Sequence, residues 1–546
     1  MPFRGSHIDG RLPVSSADGS PFGTPPGRFG RLHLVLVGAS LFSLLNTGAF
    51  TGIIPYCVAE LGQHQSHGAW MNGEFFAAQA LGMLLANPLA QRIGALRLFL
   101  WAGWAAAVGA FLCAGAPGFV VFLLARIVLG AGGGVLILLA QVLLLEEYRP
   151  SLRPLAPVLW AVVAIVPFVL GPLFGGWLEE GWGREGVGWR LWFLLDGLVL
   201  LLCTLGARKL LAPRPPDRLG SPFDWVGFGL LSMALFAFQT AIDMGDDYDW
   251  YNSSLLDSLM GLAFLSLLGF LGWELHVRKP LVRITLFLRP AFVVGMICLC
   301  GGFLLFYGLW SLLLVRLQSV WGYGPWLGGL VMLSLAVGAL PFSLLSARVV
   351  AWSRNRLLLV GSLLLFAGFA LWTSYYDIQH KRNLWLEFVG PQLIEGIGLG
   401  IFLAPATNFL CRGLSPKNQE MAIELAGSFR VAAQGWASLL LGTILYRQAA
   451  FHKRRLVEWM PSSHPLLDEF LARLRDQGIG WDLGLRLLDR EALAHAQVLA
   501  FEDLFRVAAW GFFILAVLAL VCPSPPSPKG AGLGQDERPM DGREGP

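Results

Sequence analysis

Long uninterrupted runs of apolar residues recur along this chain, and they restrict its possible folds more than any other feature of the sequence. An α-helix rises about 1.5 Å per residue, so a run of about 18 or more apolar residues can cross a hydrocarbon core about 30 Å thick. Hydrophobic residues make up 55% of the chain and charged residues 14%. Soluble domains average about 45–50% and about 25%. The sequence therefore predicts an all-α polytopic membrane protein.

Fourteen apolar runs predict fourteen transmembrane helices, arranged as two six-helix bundles with two extra central helices. The runs lie near residues 33–55, 70–91, 97–115, 119–141, 157–178, 190–211, 225–243, 254–273, 291–313, 326–346, 356–375, 387–410, 421–446 and 500–521. The predicted parts are a disordered cytoplasmic tail at 1–31, an N-terminal bundle at 32–211, two linker helices at 212–280, a C-terminal bundle at 281–522 and a second disordered cytoplasmic tail at 523–546. The first tail has no apolar region, so no cleaved signal peptide is expected.

The short loops predict the orientation of the chain, because cytoplasmic loops carry an excess of Lys and Arg. The loops after the second, fourth, sixth, eighth, tenth and twelfth spans hold most of these residues. We therefore expect an integral protein of the bacterial inner (plasma) membrane with both termini in the cytoplasm. The net charge of +4 reflects this bias, and no nucleic acid partner is expected.

The longest connection, residues 447–499, is expected to be extracytoplasmic. Within it, Leu467, Phe470, Leu471 and Leu474 follow helical spacing. Such a helix either lies on the membrane surface, docks a partner, or caps its own domain, and we favour capping.

No cofactor and no metal site are expected. All seven cysteines fall in or at the ends of apolar runs, where packing explains them. His64 and His67 are two histidines in a polar loop without further metal ligands in the sequence around them. The sequence holds no nucleotide-binding loop and no nucleophile–base pair, so we do not expect an enzyme.

Gly171, Pro172, Gly175 and Gly176 lie within six residues of the fifth apolar run, where a helix is required. Small residues let membrane helices approach closely, and proline is tolerated where neighbours satisfy the freed backbone groups. This segment resembles the antiporter motif of the major facilitator superfamily, although Pro167 stands where the usual pattern has its first glycine. The resemblance implies a kinked helix with a thin face against its neighbours, and the substitution implies the loss of one close-approach site.

Further segments resemble the fourteen-span drug:proton antiporter branch of that superfamily, which is of the multidrug efflux type. FLLARIVLGAGGG resembles the motif whose buried arginine takes part in proton transfer, a role that falls on Arg126. LLNTGAFTGIIP resembles the first-span motif, but Asn46 occupies the position of its usual acidic residue. The resemblance covers nearly the whole chain after residue 32 and implies the major-facilitator fold.

The segment PLAQRIGALR, between the second and third runs, resembles the superfamily's loop motif. Asn87 replaces its leading glycine and Gln91 its acidic residue, whereas Arg92, Gly94 and Arg97 belong to the same motif. The loop therefore matches in position but differs at residues that relatives use for coupling.

Charged residues inside the apolar runs are the candidates for proton coupling, because an ionised carboxylate in mid-bilayer costs about 2.5–3.5 kcal/mol. Burial disfavours the charged form, so such a group can bind and release a proton. The candidates are Glu74, Glu395 and Glu424, together with Arg126 and Arg430. We expect Arg126 to stabilise ionised Glu74, and Arg430 to pair with Glu395 or Glu424.

Structural roles remain an alternative for every one of these acids, which can pair with polar neighbours and hold helices together. Asp196 falls where the resembling family usually has asparagine, which favours a structural role. An acidic cluster follows the seventh run, and we expect a solvated loop there rather than the alternative, a substrate funnel; it consists of Asp243, Asp246, Asp247 and Asp249.

We interpret the chain as a secondary active transporter that exports hydrophobic or amphipathic small molecules and couples export to protons. The alternative is an uncoupled facilitator or a transporter-like membrane partner of an assembly. Three departures from the family's motifs keep it open: Asn46, Gln91, and Leu129, which stands where the motif around Arg126 usually has glutamine. Besides a lipophilic substrate and the lipid bilayer, the resemblance implies a periplasmic adaptor and an outer-membrane channel as partners, with the 447–499 loop as the docking element.

Overall fold

The computed structural model describes residues 26–64, 67–148, 156–182, 187–214, 223–245, 247–277, 280–349, 355–376, 384–458, 465–477 and 480–522. These residues form sixteen α-helices and short 3-10 turns, and no strand occurs among them. The predicted tail at 523–546 lies outside this set. The first helix begins at Pro26, a few residues before the predicted end of the tail at 1–31.

The helices follow one another with short connections. Their bounds are α1 Pro26–Glu60, α2 His67–Ile93, α3 Ala95–Ala114, α4 Phe119–Glu147, α5 Ala156–Trp182, α6 Gly188–Leu210, α7 Trp225–Asp243, α8 Ser254–His276, α9 Pro290–Ser319, α10 Pro325–Val331, α11 Leu333–Val349, α12 Asn355–Thr373, α13 Leu384–Leu410, α14 Pro416–Glu458, α15 Pro465–Asp476 and α16 Trp481–Val521. Each of the fourteen predicted runs falls on a helix, and α10 and α11 share one run.

Twelve spans in the described ranges are long and apolar enough to cross a membrane. Helices α2 and α14 are not among them, because α2 carries Asn72, Glu74 and Gln79, while Arg430, Gln434 and Arg447 interrupt the central part of α14. The interior of α2 is nevertheless buried, and α2 packs along both α4 and α14. Its polar side chains therefore face other helices.

Helix contacts divide most of the helices into two groups. In the first, α1 lies against α5 and α6, while α4 lies against α2 and α3. In the second, α13 lies against α11 and α12, while α16 lies against α12 and α14. The two groups meet where α2 contacts α14 and where α5 contacts α10 and α11. We call the α2–α14 contact the seam.

Helices α7 and α8 form a separate pair beside the seam. They pack on each other, and α7 also touches α2 and α14. Of the twelve spans, these two have the smallest buried share, 33% for α7 and 22% for α8. Most of their surface therefore faces outward, as expected for helices added beside a bundle.

The predicted loop at 447–499 is mostly helical, which corrects the sequence interpretation. Helix α14 continues to Glu458, and α16 already begins at Trp481. The two helices are joined by Lys453–Asp489 (2.7 Å) and His452–Asp503 (2.9 Å) contacts. These contacts hold α14 and α16 side by side along this segment.

The predicted amphipathic helix within this segment is present as α15. Its Leu471 is buried, and Leu471 and Leu474 lie over Gly484 of α16. A helix packed in this way caps its own domain, which was the favoured alternative.

Candidate functional site

Arg126 of α4 is fully buried and is the centre of a polar cluster in the first bundle. Its Nη1 donates to Asn46 Oδ1, its Nη2 donates to Asn72 Oδ1 at 2.9 Å, and its Nε donates to the Met71 carbonyl at 3.3 Å. A charged guanidinium is stable in such a site only where its donors are satisfied. Each of the three guanidinium nitrogens has an acceptor here.

Two phenylalanine rings cover the guanidinium of Arg126. Its Cζ lies 4.2 Å from the ring centroid of Phe50 and 4.0 Å from that of Phe75. Cations over aromatic faces at this distance are stabilised by the ring quadrupole. The rings also keep lipid and water away from the charge.

Asn46 joins Arg126 to a buried carboxyl group on α6. The Nδ2 of Asn46 donates to Asp196 Oδ2 at 2.8 Å, while its Oδ1 accepts from Arg126. Asp196 is fully buried, and its Oδ1 has no hydrogen-bond partner among the described residues. The Asp196 carboxyl group is thus separated from Arg126 by the side-chain amide of Asn46, the residue that stands in place of the usual acid of the first-span motif.

The cluster extends into the second bundle through Asn72. Its Nδ2 lies 3.2 Å from the hydroxyl of Tyr307 on α9 and 3.4 Å from Thr51 Oγ1. The hydroxyls of Thr51 and Tyr307 are 2.9 Å apart. One continuous hydrogen-bonded network therefore spans both halves of the molecule.

Glu74 does not pair with Arg126, which corrects the sequence prediction. Its Oε1 accepts from Thr240 Oγ1 of α7 at 2.7 Å, while its Oε2 has no hydrogen-bond partner among the described residues. The indole of Trp70 lies near the carboxylate but outside hydrogen-bond geometry. Glu74 is therefore a buried acid that links the first bundle to an additional helix.

Asp243 is buried at the end of α7, so the prediction of a solvated loop is wrong for this residue. Gln239 Nε2 donates to both of its carboxylate oxygens, at 3.1 and 3.2 Å. A side-chain carbon placed on Gly73 would lie 3.0 Å from Asp243 Oδ2. Asp243 therefore sits directly beside the α2 segment that carries Glu74.

The acids predicted in the second half are separated from each other. Glu395 is fully buried in α13 and accepts from Gln392 at 2.7 Å. Glu424 of α14 is half-buried, and its carboxylate is approached by Asn87 of α2 across the seam. Asn87, which replaces a glycine of the loop motif, thereby gains a partner.

Arg430 does not form the predicted ion pair with Glu395 or Glu424. Among the described residues no carboxylate lies within ion-pair distance of it. Its guanidinium instead stacks over the ring of Phe303 at 4.6 Å. In the part of the chain that the structure describes, no ion pair of Glu395 is found either.

The glycines of α5 form close helix crossings. Side-chain carbons placed on Gly171 and Gly175 would each lie 2.6 Å from the backbone of Ala49 on α1. A carbon on Gly176 would lie 2.3 Å from the Pro325 carbonyl oxygen at the start of α10. Real side-chain carbons do not approach so closely, so these positions require glycine. Gly176 therefore holds the first bundle against the second.

Pro172 and Pro167 lie within α5 on the same crossing. A carbon on Gly48 would lie 2.1 Å from the carbonyl oxygen of Pro167. The expected loss of a close-approach site at Pro167 is therefore wrong, because α1 supplies the missing glycine from the other side.

The loop motif turns the chain between α2 and α3. Gly94 has φ +95°, a left-handed conformation that favours glycine. Arg92 lies 5.0 Å from the ring of Phe223, and Arg97 is exposed at the start of α3. A cavity of about 230 Å³ lies beside this turn, lined in part by Asn87 and Gly94. The motif thus shapes a recess at one end of the first bundle.

This architecture agrees with known transport proteins. The family model for the Major Facilitator Superfamily matches residues 36–438. The chain belongs to the major facilitator superfamily. Within it, the fatty acid resistance protein FarB of Neisseria gonorrhoeae is 29% identical over 502 residues, covering 91% of this chain and 96% of FarB. The multidrug export protein EmrB of Escherichia coli K12 is 27% identical over 509 residues, covering 92% and 96%.

Solved structures of other transporters share the fold. A bacterial homologue of the human lysosomal transporter Spinster, in an inward-facing and unoccupied conformation, superposes with a TM-score of 0.61 at 16% identity, covering 92% of this chain and 100% of that one. The POT family transporter PepTSo gives 0.55 at 13% identity, covering 91% and 99%. This likeness shows the fold, and the chain is an integral membrane protein.

The sequence analysis did not identify the polar residues that connect the candidate coupling residues to one another. Asn72, Thr51 and Tyr307 extend the Arg126 network, and Gln239 and Thr240 hold the two acids at α7. Asn72 carried a usable signal, since it lies two residues before Glu74 in an apolar run. Tyr307 carried none, because its partners are 235 and 256 residues away.

Proposed function

We propose that this protein exports hydrophobic or amphipathic small molecules in exchange for protons, through the cluster around Arg126. The observation that carries the proposal is the bridge from Arg126 through Asn46 to Asp196, three fully buried side chains. The names of EmrB, a multidrug export protein, and FarB, a fatty acid resistance protein, support the substrate class.

Proton binding at Asp196 changes the charge balance of this cluster. While Asp196 is ionised, its negative charge compensates Arg126 through the amide of Asn46. The unpartnered Oδ1 of Asp196 is the free position for a proton. Once protonated, Asp196 no longer compensates Arg126, whose positive charge must then be stabilised by other groups. Because Asn72 joins Arg126 to Tyr307, this change acts on contacts between the two halves.

The remaining buried acids are proposed as further proton-binding groups. Glu74, Glu395 and Glu424 each have one carboxylate oxygen without a hydrogen-bond partner among the described residues. An isolated charge at such a position is costly in a membrane, which favours proton uptake when access opens. Arg430, which has no carboxylate partner, is proposed to interact with a substrate or with Glu395 as the halves move.

The proton gradient supplies enough energy for this exchange. A potential of 100 mV contributes about 2.3 kcal/mol per charge. One pH unit adds about 1.36 kcal/mol. Together they sustain a substrate gradient of several hundred-fold for each proton.

We further propose fourteen transmembrane helices, with α2 and α14 as spans despite their polar residues, and the boundaries 32–211, 212–280 and 281–522. The excess of Lys and Arg in alternate loops supports cytoplasmic termini in a bacterial inner membrane. The end that carries α15 is then extracytoplasmic. Helix α14 has 43 residues, about 65 Å, which exceeds a core of about 30 Å.

A periplasmic adaptor that leads to an outer-membrane channel is the proposed partner of this projecting end. Crosslinking in the native membrane from positions on α15 is expected to trap a second protein. Recovery of intramolecular links alone would remove the adaptor from the proposal and leave α15 as a cap.

Transport in proteoliposomes tests the export function. Purified protein is expected to move lipophilic compounds against their gradient when an inward proton gradient is imposed, and a protonophore is expected to abolish this movement. Addition of substrate to the purified protein is expected to release protons. Equal transport with and without the gradient would favour the uncoupled facilitator, and no transport of any compound would favour the assembly partner.

A further inference from the structure

A second cavity lies beside the seam, away from the cluster around Arg126. It measures about 420 Å³, within the range of about 300–1,000 Å³ that is typical of ligand pockets. Four helices line it: α2, α7, α8 and α14. Residues on its wall include Leu81, Ala234, Phe238, Ala263, Phe429 and Trp436. We call this space the lateral cavity.

The lateral cavity is apolar and lies within the membrane-spanning segments. Helices α7 and α8 form its outer wall, and both expose most of their surface. An alkyl chain therefore reaches this cavity from the bilayer without crossing water. Because lipid is as apolar as the cavity wall, an alkyl chain alone gains little by entering. Selective binding requires a polar group at one end.

The polar group is supplied by the acids at the end of α7. Phe238 and Trp436 meet edge to face at 5.6 Å at the wall of the cavity. Gln239 follows Phe238 and holds Asp243. Next to them, Glu74 is 3% exposed and has one carboxylate oxygen without a partner among the described residues.

The charge at this end selects one class of head group. The described ion pairs give neither Glu74 nor Asp243 a cationic partner, so the site favours a positive charge. The aromatic faces of Phe238 and Trp436 favour a cation as well. A carboxylate head would meet two acids and be repelled. From Glu74, α2 rises about 10 Å to Leu81 and about 15 Å to Leu84, both on the cavity wall, which matches an extended alkyl chain of about eight to twelve carbons.

We propose that the two additional helices, with the seam, form a lateral site that takes a single-chain cationic amphiphile directly from the membrane. The alkyl chain occupies the lateral cavity and the ammonium group lies at Glu74 and Asp243. Binding does not depend on the proposed export function, whereas any use of the site as an entrance for exported compounds rests on it.

Photolabelling locates the bound chain. The probe is dodecyltrimethylammonium with a diazirine at the end of its chain, applied to the full-length protein in phosphatidylcholine nanodiscs. We expect labels on the wall of the lateral cavity, and competition by unlabelled dodecyltrimethylammonium. Labels confined to the contacts between α1 and α9 would overturn the proposal.

Cavity-filling variants test the site independently. Ala234→Phe and Ala263→Phe place a ring in the cavity and are expected to reduce labelling at least tenfold. The matched controls, Met233→Phe and Leu265→Phe, lie on exposed faces of the same helices and are expected to label like the original protein. If the phenylalanine variants fail to assemble, Ala234→Leu and Ala263→Leu replace them. Labelling that is unchanged in assembled cavity variants would overturn the proposal.

The head group is tested with Glu74→Gln and with a neutral probe. The variant is expected to raise the half-labelling concentration of the cationic probe at least tenfold, and to leave that of a dodecanol diazirine probe unchanged. Equal labelling by both probes in the original protein would refute the assignment of a cation. Proton-driven export is measured in parallel. If the protein exports but the probe labels residues outside the lateral cavity, only the lateral site is refuted. If the probe labels the lateral cavity but the protein does not export, only the export function is refuted.

Discussion

Replacement of Asp196 by asparagine removes one charge from the buried cluster around Arg126 and preserves the size of the side chain. The asparagine can still accept the hydrogen bond from Asn46 Nδ2, which is 2.8 Å long in the structure. The change therefore isolates the charge. One amide separates the two charged groups, so we take their separation as about 6 Å, at which two unit charges attract by about 2.8 kcal/mol with an effective dielectric constant of about 20.

This magnitude predicts two measurable effects. The free energy of unfolding should fall by about 2–3 kcal/mol, measured by denaturation in detergent, because Arg126 is left buried without its compensating charge. In proteoliposomes, export should no longer increase when an inward proton gradient is imposed. An energy of about 2.8 kcal/mol corresponds to about a hundred-fold change in a conformational equilibrium.

A double substitution provides the matched control. Asn46→Asp combined with Asp196→Asn returns the acid to the first helix, where it contacts Arg126 directly, and keeps the total charge. We expect this variant to recover proton-driven export. Undiminished proton-driven export in Asp196→Asn alone would refute the coupling role of this cluster.

Further substitutions test other contacts. Gly176→Leu should insert normally but abolish transport, because a leucine side chain at this position collides with the Pro325 carbonyl. Gly181→Leu should transport normally, because Gly181 has open space around it. Transport assays on both variants test this prediction. Glu74→Gln should make export less dependent on external pH, measured as initial rate from pH 6 to 8, and an unchanged profile would shift the role to Glu395. Leu471→Asp should release α15 and increase tryptic cleavage of the projecting end, while equal cleavage would argue against the cap.

The helices could be predicted because membrane insertion leaves few alternatives. A long apolar run in lipid must satisfy its backbone internally, and this requirement fixes a helix without reference to any partner. Each predicted run therefore falls on a helix. The helices within 447–499 were not predicted for the opposite reason: the extensions of α14 and α16 mix charged and apolar residues, so no long apolar run marks them.

Side-chain partners could be predicted only where a motif placed them. Arg126 was identified from its segment, but its link to Asp196 passes through Asn46, whose amide appears in the sequence only as a missing acid. Glu74 and Thr240 are 166 residues apart, and no periodicity connects them. Asp243 appeared to begin a polar loop because the sequence does not show that α7 ends against α2.

Because α14 is long, a small tilt of this helix at the seam moves its far end by a larger distance. One unbroken helix contacts α2 at the seam and continues to Glu458, well beyond the neighbouring spans. From Trp436 to Glu458 the axis measures about 33 Å, so a tilt of about 10° displaces the tip by about 6 Å. Because the Lys453–Asp489 ion pair and the His452–Asp503 hydrogen bond join α16 to α14, a tilt of α14 carries α16 with it. If the two halves rock during transport, this geometry turns the motion at the seam into a larger displacement of the tip, at the end to which the proposed adaptor would bind.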